Sequence, residues 1–165
     1  MERALQSAAI IVVLLLVQTT FIPLISLGGF LPDLLMIWLV VVALQRGQIE
    51  ATVTGFAAGL LQDLVATKFL GLAALSKTIA AFVLGYFYNE NMVEQTLGSY
   101  RFVMLVALGS FLHDLVFFLV FLQGTEQPIF FLSIELSAGM ALYTAVIAVL
   151  PMFAFSRRYN TSWAR

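Results

Sequence analysis

Apolar positions along the chain fall into six long runs, separated by short polar or turn-forming breaks. The first, about Ala4 to Ile22, follows Glu2 and Arg3 and ends at Pro23 and Gly28-Gly29. Leu31-Pro32-Asp33 opens the second in the manner helices favour, with proline in the first turn and an acid beside the positive end of the helix dipole. That run reaches about Leu44, roughly 21 Å at about 1.5 Å per residue, which is short for a crossing and implies shelter from neighbours or adaptation through Trp38. Gln45-Arg46-Gly47-Gln48 reads as a turn, and the third run extends from Ile49 to Ala66. A tight hairpin leads through Leu70-Gly71 into the fourth, which ends near Tyr88, where Tyr86 and Tyr88 suit a membrane interface. Asn89 to Tyr100, with Glu90 and Glu94, is the longest hydrophilic connection. Phe102 to Leu122 and Ile129 to about Phe155 complete the set, the last containing Pro151 and long enough to tilt.

Composition turns this pattern into a class. Of 165 residues, 62% are hydrophobic and 10% charged, against about 45–50% and about 25% in an ordinary soluble domain. So little polar surface cannot cover a soluble core, and the runs approach the roughly 20 apolar residues of a membrane-crossing helix. The expected fold is an all-α integral membrane protein, a single six-helix membrane domain over residues 1–165. The first run resembles the core of a signal peptide, but no Ala-x-Ala site follows it, so it reads as a retained helix. The net charge of −1 and the scattered basic residues exclude a nucleic-acid footprint. With no cysteine there is no disulfide framework or thiolate site.

Arg3, Arg46, Arg101, Arg157, Arg158 and Arg165 all fall at the termini or in the even-numbered loops, against Lys68 in the odd-numbered ones. Both termini are therefore expected on the cytoplasmic side. Counted from the opposite, outer ends, the charges within the runs gather at one level. Asp33 opens helix two, Asp63 lies about one turn from the outer end of helix three, Lys77 and Glu135 about two turns in, and His113-Asp114 near the middle of helix five. A charge at the bilayer centre costs about 2.5–3.5 kcal/mol on insertion scales, so such groups face one another or a polar cavity. An outer polar cavity or partner site formed by Asp33, Asp63, Lys77, His113, Asp114 and Glu135 is the expectation. Asp63 and Lys77 leave the same outer hairpin and read as natural partners, either locking that hairpin or lining the cavity.

Two stripes of small residues accompany these charges. Ala51, Gly55, Gly59 and Asp63 recur every four residues, as do Ala73, Lys77, Ala81 and Gly85, so each set lies along one helix face that invites close packing. Adjacent His113 and Asp114 stand about 100° apart around a helix and do not make a dyad on one face. No Ser-His-Asp set, metal-ligand spacing or phosphate loop is legible, so the chain is expected not to be an enzyme and to carry no cofactor or metal. Leu61-Gln62-Asp63-Leu64-Val65 and Leu112-His113-Asp114-Leu115-Val116 agree at four of five positions, which reads either as internal duplication or as coincidence in apolar sequence.

The order Leu31-Pro32-Asp33-Leu34-Leu35, Gly55-Phe56, Gly59-Leu60, Asp63-Leu64, Leu70-Gly71-Leu72, Ala74-Leu75, then Asp114 and Val116-Phe117-Phe118, resembles the MreD family of rod shape-determining proteins over nearly the whole chain. Ala66-Thr67-Lys68-Phe69 and Lys77 depart from the family pattern in the outer hairpin. The resemblance implies a multi-pass protein of the bacterial inner membrane, acting as a non-enzymatic scaffold of the elongation machinery. It would bind MreC, a bitopic membrane protein, and through it connect MreB filaments to RodA and its penicillin-binding transpeptidase. The small-residue stripes would then bind helices, the MreC helix among them. The family is also similar to the S-components of energy-coupling-factor transporters, which implies an alternative: a small molecule or lipid bound in an outward-facing polar cavity.

Overall fold

The computed structural model describes residues 2–26, 29–66, 69–124 and 128–162. Gly28, Thr67, Lys68 and Arg165, which entered the sequence expectations, lie outside them. Every regular element among the described residues is helical: α1 (Glu2–Thr20), α2 (Leu34–Ala66), α3 (Leu72–Gly85), α4 (Val93–Leu97), α5 (Tyr100–Phe121) and α6 (Ile129–Ser162), with short 3-10 turns at Ile22–Ile25 and Glu90–Met92. Pro23 lies in the first of these turns, just beyond the end of α1. The polar connection after α3 folds into the second turn and α4. The last helix runs on past Phe155 and through Pro151 to Ser162, longer than the apolar pattern suggested.

The turn expected at 45–48 is compressed into one residue. Within α2 only Gly47 leaves helical geometry, at φ 80° and ψ −175°, a left-handed φ that favours glycine. Contacts on either side show that the chain reverses there. Along residues 34–46 the chain runs parallel to α3, with Asp33 against Lys77 at one end and Gly47 against Tyr88 at the other. Along 48–66 it runs antiparallel, Gln48 meeting Gly85 and Gly59 meeting Ala73. α1 lies antiparallel to the first arm, with Ser7 bonded to Arg46 and Gln18 to the backbone of Leu35. α5 and α6 pair antiparallel, Phe102 stacking edge-on against Phe155.

The two small-residue stripes pack into each other. A side chain added at Gly59 would stand 2.4 Å from the Ala73 carbonyl oxygen and 2.5 Å from Ala74 Cα; at Gly85 it would stand 2.4 Å from Gln48 Cα. Ala51 and Ala81 are wholly buried in the same seam. The stripes thus pack closely against helices of the chain itself. Since backbone cannot yield as a flexible side chain does, Gly59→Ala is expected to destabilise the protein by about 1–3 kcal/mol, the range of overpacked cores. Unfolding in mixed detergent micelles would show it, and an unchanged midpoint would contradict this close seam.

Large apolar side chains cover much of the surface, and ionisable groups are buried beside an apolar core. Leu16, Ile49, Val53, Phe131, Leu142, Val146 and Leu150 are exposed, whereas Asp33, Asp63, Lys77, His113 and Asp114 are buried. A soluble protein distributes these groups the other way, and buried ionisable groups among lipid-facing apolar side chains are the mark of a bilayer environment. Among the described residues, Leu34–Ala66, Tyr100–Phe121 and Ile129–Arg157 are long and apolar enough to cross a membrane, and Gln6–Thr20 and Leu72–Gly85 are shorter apolar helices.

Candidate functional site

The site is assembled where the first turn of α2 meets α3, α5 and α6. Pro32 and Asp33 stop the chain short of α2, and Asp33 caps the helix by accepting the Met36 N–H on Oδ1 at 3.1 Å. Two further donors are met here: Leu35 N–H donates to Gln18 Oε1 at 3.3 Å and Asp33 N–H to Thr144 Oγ1 at 3.1 Å. Thr144 donates its own O–H to the Met140 carbonyl on α6. Asp33 Oδ2 is left free to take the Lys77 ammonium from α3, and the two form a buried ion pair. Lys77 Nζ also lies 3.2 Å from His113 Nε2 on α5. The same imidazole nitrogen lies 3.5 Å from Asp33 Oδ2 and 3.8 Å from Asp114 Oδ1.

Asp63 is not part of this cluster and does not pair with Lys77. Its carboxylate caps α3 instead, accepting N–H bonds from Gly71 at 2.9 Å, Ala73 at 3.0 Å and Ala74 at 3.1 Å. The physical reason is proximity to a helix N-terminus, whose unpaired donors and positive dipole end lie across the hairpin from Asp63. Lys77, one turn further along α3, points to the start of α2. The pairing expected across the hairpin is therefore replaced by two separate arrangements, a cap and an ion pair. The two aspartates of the repeated Asp-Leu-Val segments likewise do different work, Asp63 as a cap and Asp114 at the edge of the cluster.

Glu135 also falls outside the cluster, exposed on α6. Ser133 and Ser137, two residues to either side, are wholly buried, and at about 100° per residue Glu135 is turned to the opposite face. The buried face of α6 reads Ser133, Ser137, Ala141, Thr144, Ala148, an uncharged stripe at helical spacing. Gln18, Ser110 and Thr144 belong to the polar interior for the same reason: they are uncharged, and only packing shows where they point. Ser110, Ser133 and Ser137 hydroxyls and His113 Nδ1 are buried without a hydrogen-bond partner.

The expected open polar cavity is thus a closed cluster, in which Asp33, Lys77, His113 and Asp114 are each 7% exposed or less. A concave feature among the described residues lies elsewhere and is apolar. It is a groove of about 260 Å³ between α1, the first arm of α2 and α6, lined by Leu14, Trp38, Val41, Ile147, Pro151 and Phe155 among others. The polar cluster ties the start of α2 to α3 and α5 at one level, with α6 joined through Thr144, and its chemistry is that of charge pairing. Among the described residues no group of three or more His, Cys, Asp or Glu side chains is arranged to hold a metal ion.

Comparison with protein families decides the relationship. The model of the rod shape-determining protein MreD matches residues 1–159 of the 165-residue chain. The chain belongs to the MreD family. No curated protein and no solved structure matches it. As an MreD family protein it is a membrane protein with a role in the rod-shape complex, in a family of shape-determining proteins that is not a known enzyme family. The buried cluster and the Asp63 cap accordingly belong to a membrane protein of the MreD family.

Proposed function

We propose that this protein is a six-span scaffold of the bacterial inner membrane, with both termini cytoplasmic, that binds MreC and helps couple MreB filaments to RodA and its penicillin-binding transpeptidase. The observation that carries the reading is the family match over residues 1–159. Support for six spans comes from the reversal at Gly47: counted as two arms, α2 contributes two antiparallel segments, which with α1, α3, α5 and α6 alternate in direction. In this arrangement Arg46, Arg101 and Arg157 lie at one end of the molecule and Asp33 at the other, in keeping with a cytoplasmic basic side.

A scaffold holds its partners by shape, and the polar cluster supplies stiffness where several helices meet. Because the glycine stripes are already occupied by each other, the MreC helix meets an outward apolar face. Membrane lipid covers the remainder. Affinity purification in mild detergent followed by mass spectrometry is expected to recover MreC, with no transporter coupling subunit and no retained vitamin. Recovery of a coupling subunit and a water-soluble ligand in place of MreC would support the S-component-like alternative and overturn the scaffold reading.

A further inference from the structure

The hydrogen-bond pattern around Lys77 leaves one carboxyl without a counter-charge. Lys77 and Asp33 neutralise each other. An ammonium has donors only, so the contact between Lys77 Nζ and His113 Nε2 at 3.2 Å makes that nitrogen the acceptor and puts the imidazole proton on Nδ1. His113 is then neutral, and its Nδ1 is one of the buried atoms without a partner. Asp114 Oδ1 lies 3.8 Å from the same Nε2, so it faces a lone pair rather than an N–H. No other cation reaches it among the described residues. The charged neighbours brought by the other packed elements are Asp33 at the start of α2 and Lys77 on α3, while Glu135 on α6 is turned outward and Glu94 on α4 is exposed.

An ionised Asp114 would leave a net negative charge inside a membrane protein, beside a second carboxylate and an imidazole lone pair. Burial of a charge without a partner is far more costly than burial of a neutral acid. We propose that Asp114 is a proton-binding site whose neutral carboxylic acid completes the Asp33–Lys77–His113 cluster. The reaction is the addition of one proton to one carboxylate oxygen, reversed when the proton leaves. Asp114 Oδ1 lies 3.8 Å from His113 Nε2, which Lys77 already engages, so the neutral acid sits beside the imidazole without a hydrogen bond to it. Loss of the proton sets two carboxylates against one lysine and loosens α5 from α2 and α3. The site thereby makes the packing of α5 responsive to acidity, and in the orientation proposed above it lies in the outer half of the membrane.

The chain has only three aspartates, Asp33, Asp63 and Asp114, so each carboxyl can be followed separately. Carbon-13 NMR of the full-length protein, labelled at the aspartate side-chain carboxyl and reconstituted in liposomes, is expected to show one protonated and two ionised signals at neutral pH. The protonated signal is expected to disappear on raising the pH and to be missing from Asp114→Asn. Three ionised signals would overturn the proposal, as would a protonated signal that survives in Asp114→Asn. If that variant does not fold, Asp33→Asn and Asp63→Asn assign the other two signals, and the pH titration of the remaining one decides the question. Detergent-solubilised protein has no inside or outside, so repeating the titration there tests proton binding apart from the proposed orientation.

Discussion

Replacing Lys77 with methionine is expected to destabilise the protein by about 3–5 kcal/mol, the range for removing one member of a buried ion pair. The change keeps a long apolar stem in a site with no exposed surface but leaves the Asp33 carboxylate without its cation. Asp33 cannot simply rotate into solvent, because its other oxygen caps α2 through the Met36 N–H. Its backbone is held in turn by Thr144 on α6. Adding Asp33→Asn to Lys77→Met removes the stranded charge while keeping an acceptor for Met36. The double variant is therefore expected to be more stable than Lys77→Met alone, a sign reversal that independent sites do not produce. Reversible unfolding in mixed micelles measures all members of the cycle. If the two changes simply add, to within about 0.3–0.5 kcal/mol, the buried pair is not the interaction that holds these elements.

The contrast between Asp33 and Asp63 shows what a single sequence conveys about such a protein. Turn residues are local signals, so Pro23, Gly47 and Gly71 marked the breaks between helices near where the structure has them. Spacing of four likewise identified Gly55, Gly59, Ala81 and Gly85 as faces for close packing, because helical periodicity is set by the backbone alone. Depth along each helix placed Asp33, Lys77 and His113 at a common level, and the structure brings them together. Rotation about each helix axis is another matter. Which way Glu135 faces, and whether Lys77 reaches Asp33 or Asp63, depends on how helices far apart in sequence are turned against one another. Asp33 and Lys77 come together through the reversal at Gly47, a single residue whose left-handed geometry only the fold displays. Uncharged groups escaped notice for a further reason: Thr144 and Gln18 differ little from ordinary interfacial residues until they are seen to satisfy the open N–H groups of α2.

Removing the Asp63 carboxylate is expected to produce a loss as large as the loss of Lys77, by a different route. Asp63→Ala leaves the N–H groups of Gly71, Ala73 and Ala74 without their acceptor, at about 1–3 kcal/mol for each donor that stays buried and unsatisfied. Ala73 and Ala74 are buried, whereas Gly71 is partly exposed and recovers some hydration. Asp63→Asn keeps one carbonyl acceptor and is expected to fall between wild type and Asp63→Ala. The two aspartates can then be told apart by charge exchange. Asp63→Lys would place a cation at the positive end of α3 among N–H donors, a penalty that Lys77→Asp cannot relieve because Lys77 faces Asp33. That double variant is expected to be worse than either single change, as it destroys the cap and puts two carboxylates, Asp33 and the new one, at the start of α2. Partial recovery in Asp63→Lys with Lys77→Asp would instead mean that the hairpin is closed by a direct ion pair. Its absence, together with recovery in the Asp33 and Lys77 cycle, would show that the carboxylate at the end of the glycine stripe serves the backbone of α3 and leaves the lysine to α2 and α5.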